Sequence, residues 1–270
     1  MIMKEGNIMK EELKNLLNEE YLINTLKIEK NIESTVGNVY IIYTQKEKYV
    51  LKLYDDLSHT NSMILLHDDL SNKINIPKVI KNKNGDGYTT IDSKYAVLYS
   101  FLNGVQIGKE FNNLSDDIIK EIAIQIRYLH TLTNNKNKYN IKEIPFCKNN
   151  ISRKSLLHFD LTKNNIFFNK EIEKIGFIDF DDAKYGPSIC DVAITICLLF
   201  ISKKRGINIK SIQFFIDSYY NSDINLKEKE IKYIKEYAIN WIDYILNENK
   251  FDTSLRESFE FKRYQIQKYM

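Results

Sequence analysis

Cysteine is scarce in this chain, long hydrophobic runs are missing, and neither sign of charge dominates. The three cysteines, Cys147, Cys190 and Cys197, are odd in number and lack metal-ligand spacing, so reduced thiols in a cytoplasmic protein are the plain reading. The most apolar stretch, Val192 to Ile201, is too short to span a bilayer and reads as a buried helix. The opening MIMKEGNIMKEELKNLL has no apolar core of signal-peptide length. No membrane partner is therefore expected. A net charge of +3 on 28% charged residues implies no strongly basic face, which argues against a nucleic-acid partner. There is no internal repeat.

What is present is 270 residues, 43% of them hydrophobic, enough for a sizeable core in one large or two small domains. Glu11 to Leu17 reads as a short amphipathic helix, and the pattern turns strand-like from Leu26. Asn38 to Tyr54 (NVYIIYTQKEKYVLKLY) is two β-rich runs about a polar turn, a hairpin signal. His59 to Leu70 is weakly helical. Lys78 to Ile80 and Tyr88 to Ile91 flank the turn sequence NKNGDG, and Tyr95 to Phe101 is a further apolar run. After Gly104 the character changes. Ser115 can cap a helix through IIKEIAIQIRYLHTL. Asn134 to Asn140 reads as an exposed loop, and helices are expected over about 190–203, 209–221, 227–248 and 253–268. The fold class is α+β, a β-rich N-terminal part followed by a mainly helical C-terminal part.

A connector lies near 100–104, and the C-terminal part holds the most informative stretch, Leu156 to Ala193. His158, Asp160 and Asn165 fall in one tight turn between short apolar runs, and Asp179 follows on the far side of an expected hairpin. A compact loop of this length can aim Asp160 and Asn165 into one site. Phosphoryl transfer asks for this set: a carboxylate to orient or deprotonate the attacking hydroxyl, and an amide oxygen with a second carboxylate for Mg²⁺. Taken singly, each of these is an ordinary turn residue.

HFDLTKNNIFFN resembles the catalytic loop of the aminoglycoside phosphotransferase and choline kinase family, and IGFIDFDDAKYGPSICDVA resembles its metal-binding strand. The resemblance covers about 34–200. It implies a protein-kinase-like two-lobe fold, with 1–99 a nucleotide-binding lobe, 100–104 a hinge and 105–270 a catalytic and acceptor-binding lobe. It implies ATP, with GTP as an alternative, and Mg²⁺. Asp160 matches the catalytic aspartate, Asn165 and Asp179 the magnesium ligands, His158 a histidine that braces the loop, and Asp191 an aspartate that ties the loop to a helix start. Lys52 matches the lysine on the α- and β-phosphates; Ser34, Gly37 and Asn38 match the phosphate-covering loop. Ser100 and Leu102 match the hinge, and Phe167 and Ile178 the apolar floor under the purine. Asp181 admits two readings, a ligand of a second Mg²⁺ or a solvent-facing acid. Read without the motif, Lys52 is a solvated strand residue, Asp191 a helix cap and Gly37 a turn.

The chain departs from the family pattern in three places. Phe159 stands where glycine is usual. The helix expected to offer a glutamate to Lys52 has none, with Asp68 and Asp69 as shorter substitutes. The span from His130 to His158 is short. Only eleven residues separate Asp179 from Asp191, leaving little room for a peptide-docking segment, so the implied partner is a small-molecule hydroxyl acceptor and a protein kinase is the weakest reading. A nucleotide-binding scaffold without catalysis is the principal alternative. No oligomeric state is implied. Tyr233, Tyr237, Trp241 and Tyr244 form a stripe at helical spacing, readable as core or as a cation-binding face. The nearby acids Glu230, Glu236, Asp243 and Glu248 read as a solvated mixed face or as an attraction for a polycationic sugar.

Overall fold

The computed structural model describes residues 2–31, 38–111, 113–133, 138–146, 153–221, 223–248 and 252–270, with side chains from residue 9 onward. Ser34, Gly37 and Cys147 lie outside the described residues. The chain divides into two compact units, Met1–Leu102 and Asn103–Met270.

In the first unit an antiparallel sheet runs β1 (Lys27–Lys30), β2 (Val39–Tyr43), β3 (Lys48–Tyr54), β6 (Lys94–Ser100) and β4 (Val79–Ile80), with β5 (Thr89–Ile91) also paired to β6. The hairpin read from Asn38 to Tyr54 is β2 and β3. The runs either side of NKNGDG do not pair with each other; both add to β6. The first helix, α1 (Ile2–Tyr21), is much longer than its apolar signal. Its stripe Leu13, Leu16, Leu17 and Tyr21 buries against Ile42, Leu51, Leu53, Ala96 and Leu98, with Met9 packed beside it. Asp56 caps α2 (Leu57–Leu70) by accepting from the His59 N–H at 2.6 Å. Its buried His67 pairs with the Pro77 carbonyl at 2.7 Å and lies 4.8 Å from the Tyr99 ring.

The second unit opens with β7 (Val105–Gln106), α3 (Ile107–Glu110) and α4 (Asp116–Leu132). Ser115 caps α4, its Oγ accepting from the Ile118 N–H. Two small antiparallel sheets follow. One joins β8 (Lys154–Leu157) to β11 (Lys184–Pro187); the other runs β10 (Lys174–Phe177), β9 (Ile166–Asn169), β7. Among the described residues between α4 and β8 there is no α-helix. No helix among the described residues is long and apolar enough to cross a membrane.

The buried helix read around Val192 is α5 (Ser188–Leu199), apolar on all sides because almost every residue is enclosed, Cys190 and Cys197 among them. It ends at Leu199, not near 203. The chain turns there into a two-stranded hairpin, β12 (Ile201–Ser202) and β13 (Gly206–Ile207), with Gly206 at φ +72. Helices α6 (Ile209–Tyr220), α7 (Ile224–Asn247) and α8 (Thr253–Tyr269) complete the unit. From α8 the buried Lys262 ammonium reaches the carbonyls of Cys197 and, at 2.8 Å, Ile201. These are carbonyls at and just beyond the end of α5, where the helix leaves acceptors without partners of its own. Burial lowers the Lys262 pKa.

Lys262→Met keeps the volume and strands both carbonyls. It should cost about 1–3 kcal/mol of stability, read as a fall in urea midpoint with unchanged slope.

Candidate active site

Strand β8 ends at Leu157, and the chain then makes the turn that carries His158, Asp160 and Asn165. The Thr162 N–H donates to the Asp160 carbonyl at 2.9 Å and the Asn165 N–H to the Thr162 carbonyl at 3.0 Å. Beyond it, β9 and β10 pair with Ile166 opposite Phe177, and the Ile178 N–H donates to the Asn165 carbonyl at 3.0 Å. That register sets the Asn165 end of the turn beside the approach to Asp179. The far side of the turn is braced from α3 and β7. Gln106 Nε2 donates to the Asn164 carbonyl, and the Gly108 N–H to the Lys163 carbonyl. A Cβ at Gly108 would sit 2.6 Å from Asn164 Oδ1, so a larger residue there would push that side chain aside.

The turn hangs on Asp191. This residue lies in the first turn of α5 but does not cap it; the cap position is Pro187, with no side-chain bond. Its buried carboxylate instead accepts from the backbone N–H groups of His158 at 2.9 Å and Phe159 at 3.0 Å, and pairs with His130 Nε2 at 3.2 Å. Burial pushes this carboxyl up. The His130 hydrogen bond and charge, then His158 and the Phe159 N–H, outweigh that and bring it below the usual range. His130 is oriented by Tyr219 OH at 2.8 Å and by Arg153, which donates to its carbonyl. With both N–H groups so held, Phe159 adopts φ +71, a left-handed conformation costly for a bulky side chain. This explains why glycine suits the position.

His158 is fully buried and pairs through Nε2 with the Ile178 carbonyl at 2.9 Å. Burial lowers its pKa, so it is a neutral imidazole donating from Nε2. Nδ1 has no hydrogen-bond partner among the described residues. The ring stacks 4.4 Å from Phe180. This placement is that of a brace between turn and hairpin.

Asn165 Nδ2 donates to both the carbonyl and the carboxylate of Asp160, at 2.9 and 2.8 Å. That spends the amide nitrogen and leaves Oδ1 as a free oxygen donor. Asp160 is pushed up to about 7, by burial first, then by the charges of Asp182 and Asp179, with the Asn165 bond opposing. Asp179 itself sits at φ +68. Among the described residues no three His, Cys, Asp or Glu side chains converge as a metal cage. A neutral amide oxygen beside crowded carboxylates nonetheless fits Mg²⁺, which takes one or two protein oxygens and completes its shell with water and phosphate.

Of the remaining expected positions, Lys52 is half-buried on β3, between Val39 of β2 and Val97 of β6. Asn38 accepts the Leu53 N–H through its carbonyl. Asp68 pairs with Lys81 and Asp69 with Lys73. Ser100 Oγ accepts from the Lys78 N–H, and Leu102 is buried. Phe167 and Ile178 are half-buried at adjacent ends of the β9–β10 hairpin, and Asp181 is half-buried. The aromatic stripe divides. Tyr237 and Trp241 are core, with Trp241 5.5 Å from Phe259, while Tyr244 stacks on Phe146 at 5.3 Å. Glu230 is no surface acid; it is buried and accepts from Tyr220 OH at 2.8 Å. A cavity of about 580 Å³ between α7 and α8, lined by Asp243, Arg256, Glu260 and Arg263 among others, contains none of the turn residues. Sequence reasoning missed His130, Asp182, Lys184 and Gln106. Only His130 left a signal, a lone histidine on the apolar face of α4.

The phosphotransferase enzyme family (APH) matches residues 140–209. No curated protein matches the chain in sequence. Solved structures share its fold at low identity. A spectinomycin phosphotransferase in complex with ADP and spectinomycin is 15% identical over 95% of this chain and 96% of that one, with a TM-score of 0.65. An amicoumacin kinase in complex with AMP-PNP and Ca²⁺ is 14% identical over 92% and 90%, with a TM-score of 0.69. A Plasmodium vivax ethanolamine kinase is 16% identical over 89% and 81%, with a TM-score of 0.59.

Asp191→Asn replaces one acceptor oxygen by a donor facing two N–H groups. It should destabilise the protein by about 2–4 kcal/mol. Because the native carboxyl is held below its unfolded value, its stabilisation is fully present above about pH 4 and is lost as pH falls through the native pKa. The gap between variant and wild type, measured by denaturant titration, should close in acid.

Proposed function

We infer that this chain, which matches the phosphotransferase enzyme family across the segment carrying its site and has the fold of solved small-molecule kinases, transfers the γ-phosphoryl group of ATP or GTP to a hydroxyl of a small molecule. The observation that carries this is the Asp191-anchored turn, in which one amide, Asn165, is bonded to Asp160 so that its oxygen is left free.

In this reading Asp160 accepts a hydrogen bond from the acceptor hydroxyl and takes its proton as the oxygen attacks the γ-phosphorus. The new O–P bond forms as the bond to the β-phosphate oxygen breaks, and the nucleoside diphosphate leaves. Little covalent work falls to the protein; positioning and charge do most of it. Bound Mg²⁺ supplies positive charge to the phosphates and to the crowded acids. Asn165 Oδ1 and Asp179 would hold it, with Asp181 available to a second ion. Lys52 would hold the α- and β-phosphates, Ser34, Gly37 and Asn38 would cover them, and Ser100 and Leu102 would meet the base through backbone groups, over a floor of Phe167 and Ile178. The domain assignment follows: residues 1–99 bind nucleotide, 100–104 link, and 105–270 carry catalysis and the acceptor, in a cytoplasmic protein.

Between Asp179 and α5 the chain has only a short turn and β11, which is paired to β8. That leaves no long segment for docking a peptide and supports a small acceptor.

Asp160→Ala should lower kcat by about 10²–10⁴-fold and leave nucleotide-induced thermal stabilisation intact. A variant within a few-fold of wild type would remove Asp160 from the base role. Stabilisation by ATP–Mg²⁺ with no turnover over a broad hydroxyl panel would favour a nucleotide-binding scaffold instead.

A further inference from the structure

Three aromatic rings and a lysine meet at the residue preceding Asp160. The Phe159 ring lies 6.2 Å from that of Phe146, which lies 5.3 Å from that of Tyr244 on α7. The Lys184 ammonium stands 5.7 Å from the Phe159 ring centroid, within cation–π range. Its one hydrogen bond among the described residues is to the Asp182 carbonyl at 3.2 Å, and no described carboxylate pairs with it within salt-bridge distance. Neither 147–152 nor 249–251 includes an acid. Lys184 is half-buried, and burial lowers its pKa; Asp182 and Glu248 oppose that shift and Lys142 adds to it. An ammonium has three donors. One so placed, with a single carbonyl and a ring for company, is poorly compensated for the water it has lost. The group lies beside the reacting end of the site: Phe159 is joined to Asp160, and Asp182, whose carbonyl holds Lys184, is the foremost charge acting on the Asp160 carboxyl.

We propose that Phe146, Phe159, Tyr244 and Lys184 form the acceptor-recognition wall, taking a hydroxyl compound that carries an anionic group, carboxylate or phosphate, beside an apolar or aromatic face. This rests on the phosphotransferase reading and deepens it. The anion completes the donors of Lys184, and the flat face covers the half-buried rings of Phe146 and Tyr244, with the buried Phe159 ring behind them. A choline-like cation is disfavoured, because the face of Phe159 it would need already holds the chain's own ammonium. A polycationic sugar would meet the same charge.

The test is γ-phosphoryl transfer from ATP–Mg²⁺ to separate panels: aliphatic and aromatic hydroxy acids, sugar phosphates, neutral polyols and sugars, and the cations choline, ethanolamine and kanamycin. Thermal stabilisation by ATP–Mg²⁺ is read in parallel. Transfer should be confined to the hydroxy acids or the sugar phosphates, and which of the two responds identifies the anion. Lys184→Met should raise KM for that acceptor about tenfold or more with kcat within about threefold, the pattern of lost ground-state binding. Lys184→Gln, a polar replacement, is the second variant should the first fold poorly. Best transfer to a cationic or neutral acceptor, or an unchanged KM in both variants, overturns the proposal. So does nucleotide stabilisation with no anionic acceptor used; transfer to another panel then leaves the phosphotransferase reading in place, whereas no transfer to any panel favours the scaffold. Absent nucleotide stabilisation counts against the phosphotransferase reading itself, and the proposal falls with it.

Discussion

The buried carboxylate of Asp191 is the constraint on which the site depends. A carboxylate enclosed in protein is tolerated only if its oxygens are satisfied. Here the donors are two consecutive backbone N–H groups and one imidazole, contributed by the end of β8 and by α4. Satisfying Asp191 therefore docks three elements at once. It also holds the backbone at Phe159 in a left-handed conformation that a free chain would avoid. The direction of Asp160, one residue on, follows from that. So does the placement of Asn165, through its two hydrogen bonds to Asp160.

Charge is handled differently at the two ends of this turn. Around Asp160 acids are crowded: burial, Asp182 and Asp179 all oppose ionisation, and only the Asn165 amide favours it. Such an arrangement is poor for an isolated protein and well suited to a site that receives a cation. Two lysines of the same unit, Lys262 buried and Lys184 half-buried, make the contrast. Lys262 is matched to two carbonyls at the end of α5 and is structural. Among the described residues Lys184 has one carbonyl and a ring. Different partners separate a brace from a candidate contact.

Much of the scaffold was legible. The hairpin of β2 and β3, the Ser115-capped α4, and α6 through α8 announce themselves by period and cap, which are local properties. Failures occurred where neighbours decide. The apolar signal of α1 covers Glu11 to Leu17, while the sheet face of the first unit also takes Met9 and Tyr21. The apolar run after Val192 reads as one helix, yet it breaks at Leu199 where Lys262 and the β12–β13 hairpin take its last carbonyls. The aromatic stripe of α7 has one spacing but two fates, because α8 covers Trp241 and Phe146 covers Tyr244.

The order and spacing of His158, Asp160, Asn165, Asp179 and Asp191 were determined by the sequence alone, because a short turn and a hairpin leave little freedom for where five such residues fall. The chemistry they suggest was readable for the same reason. Only the tertiary structure decided how each is held. The tie through Asp191, which the motif implies, is made by two backbone N–H groups and His130; Glu230 turned from a surface acid into a buried acceptor, and Phe159 from a departure in a motif into a buried ring against Phe146. These outcomes rest on contacts between α4, α5, α7 and β11, which lie far from the turn in sequence. Burial and pairing are properties of those contacts, and no local pattern encodes them.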